Sequence, residues 1–200
     1  MINLGVLISG RGSNLQAIIA ACEKGEIPAR VAVVISDQPD ALGIERAKQQ
    51  QISTALFQPK VFSDKNTYEL EIVKCLKQHQ VDLVCLAGYM RIVGPVLLGH
   101  FPNRMLNIHP SLLPSFPGLQ AQKQALDHGV KISGATVHFV DEGCDTGPII
   151  LQSAVPILEK DNEEALSERI LQQEHLIYPQ AIKLIAEDKL KIEGRRVKLK

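Results

Sequence analysis

Just past the middle of the chain, Leu106-Asn107-Ile108-His109-Pro110 places two polar side chains where an apolar strand, Arg104-Met105-Leu106, would otherwise continue with aliphatics. Residues i and i+2 of a strand share a face, so Asn107 and His109 stand side by side, about 6–7 Å apart at Cα, while Ile108 points into packing. Pro110 has no N–H and a fixed φ, and the strand must end there. An amide donor beside a titratable imidazole at a strand end can stabilise a developing oxyanion and move a proton. By itself the pattern also describes a turn-satisfying amide and a buried, hydrogen-bonded core histidine. Among the acidic residues, Asp145 is the natural partner for His109. It lies in a glycine-rich loop, Asp141-Glu142-Gly143-Cys144-Asp145-Thr146-Gly147-Pro148, that can approach a site closely. A carboxylate there would raise the imidazole pKa and fix the ring's orientation. There is no G-x-S-x-G elbow and no Cys–His pairing pattern. Direct attack by a substrate amine on an acyl carbon therefore fits better than a covalent acyl-enzyme. The six histidines form no H-x-x-x-H or H-E-x-x-H pattern, which argues against a catalytic metal. His138, on a strand, reads as a residue supporting the site, not as a catalyst.

A second chemical feature lies near the start. Asn3 to Ser9 reads as a buried strand, Gly10-Arg11-Gly12-Ser13-Asn14 as a glycine-rich turn, and Leu15 to Cys22 as a helix. Backbone N–H groups and the helix dipole can hold an anion at such a junction, with Ser13 or Asn14 capping the helix. The third glycine of a dinucleotide fingerprint is replaced by Leu15, and no Gly-Lys-Ser/Thr follows, so a single phosphate is the ligand indicated. An ordinary βα turn has the same composition. Lys65, in the first turn of a helix expected over 64–79 with Ser63 as cap, works against the helix dipole and suits an anionic ligand or plain solvation. Gly88-Tyr89-Met90-Arg91-Ile92-Val93 leaves the strand Asp82–Ala87 as an apolar loop able to present backbone groups to a flat heteroaromatic ligand, or to pack on its own domain.

The elements that must position these residues follow from the apolar patterning. Strands alternate with helices through the first half, with continuous apolar strands such as Arg30–Ser36 that need cover on both faces. Strands cluster later, at 132–140 and 149–157, before a long helix from Asp161 or Asn162 to about Asp188 in which Pro179 should make a kink. The pattern predicts an open, mostly parallel twisted α/β sheet with helices on both faces and antiparallel additions toward the C-terminus. Ligands in such sheets sit beyond the carboxyl ends of the strands, where the segments above fall. A single domain is expected over 1–188, followed by a short basic hairpin over 189–200 whose six cations protect an edge strand. The formal net charge is zero, which gives no reason to expect a nucleic-acid or membrane partner. The four cysteines make no C-x-x-C pair, no apolar run reaches the ~20 residues of a membrane span, and the N-terminus carries no signal-peptide pattern. A reduced, cytoplasmic setting is the expectation. Cys144, in its polar loop, is a candidate reactive thiol.

Ser9 to Leu15, Ala87 to Ile92, Leu106 to Pro114, Thr136 to Asp145 and Gln173-Glu174-His175-Leu176-Ile177-Tyr178-Pro179 together resemble the phosphoribosylglycinamide formyltransferase family, in order and over essentially the whole chain. The Asn-x-His-Pro-Ser-x-Leu-Pro segment marks the wider formyltransferases, and the glycine loop and Glu-His-x-Ile-Tyr-Pro segment narrow the likeness. The resemblance implies a Rossmann-like formyltransferase fold and transfer of a formyl group from 10-formyltetrahydrofolate, as co-substrate, to the amine of glycinamide ribonucleotide, with no metal. It implies catalysis by Asn107, His109 and Asp145, and substrate binding by Gly12, Ser13, Asn14 and Glu174. For the folate it implies Lys65, Met90, Arg91, Ile92, Val93, Asn107 and the loop Asp141, Glu142, Gly143, Cys144 and Asp145. Lys65 stands where the family often has arginine, a point charge in place of a fork, and Gln120 where some relatives have histidine. Partners are expected to be small molecules only, with a monomer or weak homodimer. The runner-up is a formyltetrahydrofolate deformylase-like hydrolase, which usually carries an additional N-terminal domain. A phosphate-binding module without chemistry would keep the glycine loop and not need the trio.

Overall fold

In the computed structural model all 200 residues are described, and they fall into two compact units, Met1–Leu106 and Asn107–Lys200. The boundary between them falls within the strand Met105–His109.

In the first unit β1 (Ile2–Ile8), β2 (Ala29–Ser36), β3 (Ser53–Leu56) and β4 (Leu83–Leu86) run in the order β3-β2-β1-β4, every pair parallel. The entry to β5 (Met105–His109) lies beside β4, where the Val84 N–H donates to the Arg104 carbonyl at 2.9 Å. Strand alternation decides where the helices go. A Cβ on Gly5 would collide with Leu76 of α3 (Lys65–Gln78), whereas Ile8, on the other face, touches Gly43 of α2 (Leu42–Gln49). Helices therefore cover both faces, and the buried stretches of β1, β2 and β4 are apolar but for Ser36. β2 and β4 flank β1, and the chain order reverses direction there, so the ends of β1 and β4 form a topological switch point. The two loops leaving it are tied together. Ser9 N–H donates to the Gly88 carbonyl at 3.0 Å and Met90 N–H to the Ser9 hydroxyl at 2.9 Å.

Two caps differ from the sequence reading. The cap of α1 (Ser13–Glu23) is Gly12, in the left-handed region at φ 70, with no side-chain cap bond from Ser13 or Asn14. The cap of α3 is Asp64, one residue later than Ser63, and its carboxylate accepts from Thr67 N–H at 2.9 Å. A third cap was not legible at all. The short helix α4 (Pro95–His100) starts at Gly94 without a side chain of its own to satisfy its N–H groups. Glu69, buried on α3, supplies the acceptor, taking Gly94 N–H at 2.5 Å and Leu97 N–H at 3.1 Å.

In the second unit the end of β5 precedes α5 (Ala121–Asp127), β6 (Ile132–Phe139), β7 (Ile149–Pro156), α6 (Glu163–Ala186), β8 (Leu190–Glu193) and β9 (Arg196–Leu199). β6 and β7 are antiparallel, β8 and β9 form an antiparallel hairpin, and β9 runs parallel to β7. Asn162 caps α6, accepting from Ala165 N–H, and the helix runs unbroken through Pro179, packing on β6 and β7. The ladder between β6 and β7 slips at Val137/His138. Such a bulge re-aims the side chain that follows it. The Leu113–Pro114 peptide is cis. The proline-rich loop around it is pinned by Thr136, whose hydroxyl donates to the Ser111 carbonyl at 2.7 Å and accepts from Leu113 N–H at 3.1 Å.

Glu69 lends itself to a stability test. Glu69→Ala should lower unfolding free energy by about 2 kcal/mol and Glu69→Gln by about half that, since an amide oxygen still accepts one bond. Urea midpoints measure this, and an alanine variant within about 0.5 kcal/mol of the parent would contradict the capping role.

Candidate active site

The carboxylate of Asp145 is the centre of the second unit's polar cluster. Its Oδ2 lies 3.2 Å from His109 Nδ1 and accepts the Gly118 N–H at 2.8 Å. Its Oδ1 accepts from Asn107 Nδ2 at 3.2 Å and stands 3.6 Å from His138 Nε2. Three of the sequence candidates, Asn107, His109 and Asp145, are thus brought into one polar cluster. Asn107 and His109 share a strand face as their spacing requires. Asp145 reaches them because its backbone adopts φ 56, a left-handed conformation uncommon outside glycine.

Each donor in the group has an identifiable role. His138 Nδ1 faces the Phe139 carbonyl at 2.8 Å and so carries the ring proton, leaving Nε2 to accept from Asn107 Nδ2 at 3.2 Å. The amide's two hydrogens are therefore aimed at His138 and Asp145, and its nitrogen cannot be exchanged with its oxygen without setting two acceptors against each other. His109 lies between two acceptors, the Asp145 carboxylate and the Phe116 carbonyl, the latter 2.8 Å from Nε2. Only an imidazolium satisfies both sides. Burial opposes that charge and is the larger effect, outweighing the Phe116 bond and the Asp145 charge, so the His109 pKa lies below its ordinary 6.5. The carboxylate acts in the expected direction, but the 5 % exposure of the ring overrides it. Burial pushes the Asp145 carboxyl up as well. The close approach of His138, the bond from the Gly118 N–H and the nearby His109 imidazole prevail and hold it at about 2. It stays ionised at any physiological pH.

The rest of the acidic loop is wound tightly around this carboxylate. Asp141 Oδ1 accepts from Gly143 N–H at 3.1 Å and from the Thr146 hydroxyl at 2.6 Å. Cys144 is exposed, with Sγ 3.6 Å from Asp145 Oδ2, and its thiol pKa is raised, first by desolvation and then by the Asp145 charge. This is the opposite of what a reactive thiol needs. Glu142 is exposed, and Glu174 is buried on α6.

In the first unit, Gly12, Ser13 and Asn14 start α1 at the switch point, with the helix's leading N–H groups uncapped by side chains. Gly12 also has a packing reason to be glycine, since a Cβ would meet Gly43 Cα at 2.6 Å. A cavity of about 480 Å³ in the same unit is lined by residues that include Lys65, Tyr68, Tyr89, Met90, Ile92 and Val93. Met90 and Ile92 expose their side chains into solvent while Val93 is buried. Lys65 Nζ is 4.0 Å from Glu69. Arg91, a candidate folate residue, holds the buried Asp37 at 2.7 Å through Nε. Asp37 escaped the sequence reading, although an acid directly after a continuous apolar strand was a usable signal. The Tyr68–Tyr89 hydroxyl pair, 2.6 Å apart, offered none, because it joins a helix to a loop across 21 residues. No set of three or more His, Cys, Asp or Glu side chains could hold a metal ion, and no helix is long and apolar enough to cross a membrane.

An amide, an imidazole and an ionised carboxylate at a strand end, in a doubly wound α/β chain, are equipment suited to transfer at an acyl carbon. The chain belongs to the formyl transferase family, whose model matches residues 2–182. Within that family its similarity is to phosphoribosylglycinamide formyltransferases. It is 45% identical to the one from Escherichia coli strain K12 over 190 residues, covering 95% of this chain and 90% of that protein. The crystal structure of glycinamide ribonucleotide transformylase 1 from Symbiobacterium toebii superposes with a TM-score of 0.98 at 58% identity, covering 100% of this chain and 94% of that one. The chain is also 49% identical over 184 residues to a segment of the Drosophila melanogaster trifunctional purine biosynthetic protein adenosine-3, spanning 91% of this chain but 14% of that protein. A formyltetrahydrofolate deformylase from Pseudomonas syringae shares the fold (TM-score 0.91) at 28% identity, and this chain spans 65% of it.

The His109 environment can be read directly by NMR. Its imidazole should titrate with a midpoint below 6.5, and Asp145→Asn should lower that midpoint further, because the carboxylate's charge favours the imidazolium. A midpoint at or above 6.5 would contradict the dominance of burial. The linked stability follows. The unfolded chain binds the His109 proton more tightly, so stability is lost as pH falls below 6.5 toward the folded value, and Asp145 adds a second loss as pH falls from 3.8 through about 2.

Proposed function

We propose that this chain transfers a formyl group from 10-formyltetrahydrofolate to the amine of 5-phosphoribosylglycinamide in de novo purine biosynthesis. The observation that carries the reading is the convergence of Asn107 and His109 on Asp145, each at 3.2 Å. The names of the relatives supply the substrates. The amine nitrogen attacks the formyl carbon directly, and the carbonyl π pair moves onto oxygen. The Asn107 N–H stabilises that oxygen, exchanging one of its present partners for it, and His109 joins it once the ring is protonated. His109, neutral beforehand, is well placed to take the proton that the attacking nitrogen must lose, because the resulting imidazolium meets acceptors on both sides. Asp145 stabilises that cation and orients the ring. Collapse re-forms the carbonyl, breaks the bond to N10 and leaves the electron pair and a proton on the folate.

Gly12, Ser13 and Asn14 hold the phosphate at the start of α1, with Glu174 on the ribosyl glycinamide. Lys65, Met90, Arg91, Ile92 and Val93, with Asn107 and the 141–145 loop, hold the folate. The protein works in the cytoplasm on small molecules alone, as a monomer or weak homodimer. The hydrolase reading keeps the same trio and differs in the nucleophile, water in place of an amine.

An assay separates the two. Turnover of 10-formyltetrahydrofolate should require glycinamide ribonucleotide, and equal turnover without the amine would favour the hydrolase. Asp145→Asn should reduce kcat by roughly 100-fold or more with KM changing far less. An unchanged kcat would remove Asp145 from the mechanism.

A further inference from the structure

The C-terminal hairpin lies beyond the segment that the family model matches, and its cations read from sequence as edge protection. Most of them are spent on their own surroundings. Lys189 pairs with Glu187 at 2.7 Å, Lys191 with Glu193 at 2.9 Å, Lys200 with Asp188 at 2.7 Å, and Lys198 also with Glu193. Arg195, at the turn between β8 and β9, does something else. Its Nη2 donates to the Thr146 carbonyl at 2.8 Å, one peptide beyond Asp145. The turn is held in place there, since Arg196 registers against Ile149 of β7, three residues after Thr146.

The loop needs such a hold. Asp145 at φ 56 is a non-glycine residue in the left-handed region. A conformation of that kind costs on the order of 1 kcal/mol and persists only where its surroundings enforce it. From the N-terminal side Asp141 enforces it through Gly143 and Thr146. Just after it Gly147 passes so close to the Phe139 carbonyl that a Cβ would sit 1.8 Å away, so the chain has no slack. Arg195 closes the remaining side by fixing the Thr146 carbonyl.

We propose that Arg195 is a positioning residue, through which the C-terminal hairpin holds Asp145 in the left-handed conformation that brings its carboxylate to His109 and Gly118. This rests on the catalytic reading of Asp145. The test compares Arg195→Ala, Arg195→Lys, Asp145→Asn and the double variant, with amide hydrogen exchange on the full-length protein. Arg195→Ala should lower kcat/KM for the folate about fivefold, the effect of losing roughly one hydrogen bond's restraint. It should speed exchange at the Thr146 and Gly147 amides while leaving Tm and core exchange unchanged. Arg195→Lys, which keeps one donor, should recover most of the activity. In the Asp145→Asn background Arg195→Ala should add nothing, because the residue acts through that carboxylate. Parental kinetics and loop exchange in Arg195→Ala would overturn the proposal even where Asp145→Asn is impaired. An undiminished loss in the double variant would overturn it too, by showing that Arg195 acts elsewhere. Parental kcat in Asp145→Asn would instead overturn the catalytic reading.

Discussion

An ionised carboxylate that is nine-tenths enclosed has to be compensated on every oxygen, and the polar architecture of the second unit follows from how Asp145 is compensated. One oxygen takes a backbone N–H from Gly118 and faces His109, and the other takes the Asn107 amide beside His138. Each partner then needs an orientation of its own. His138 is locked by the carbonyl of its neighbour, which makes its inner nitrogen an acceptor and in turn orients the amide. The result is a group in which moving any one member leaves another buried and unpaired. That interdependence holds the amide and the ring in one arrangement before a substrate arrives.

The histidine at the centre illustrates two opposing effects in one ring. Geometry offers the imidazolium two acceptors, and burial penalises its charge more strongly than they repay it. A ring of this kind rests neutral and gains a proton into a prepared setting, which is what proton capture during amine attack requires. A carboxylate partner alone would have kept the ring charged and unable to accept.

The first unit solves a different problem with the same economy. Its parallel strands must be covered on both faces, and the strand order leaves a crevice where β1 and β4 end. The loops there are joined to each other, and their surroundings are stiffened by acids borrowed from other elements: Asp37 on Arg91, Glu69 on the start of α4. Neither acid is near its partner in sequence.

The sequence by itself determined the period of the elements, the parallel order of the first half, the shared face of Asn107 and His109, and the glycine-rich approach that admits Asp145. These are local properties, set by side-chain alternation, by the fixed φ of proline and by the absence of a Cβ. Tertiary structure alone decided which acid caps α4, that Gly12 and not Ser13 or Asn14 caps α1, that His138 sets the amide's orientation, and that the tail reaches Thr146. It also decided the direction of the His109 pKa shift. Spacing can place a carboxylate beside an imidazole, but the cost of burying the charge depends on everything packed around it, and that is a property of the fold.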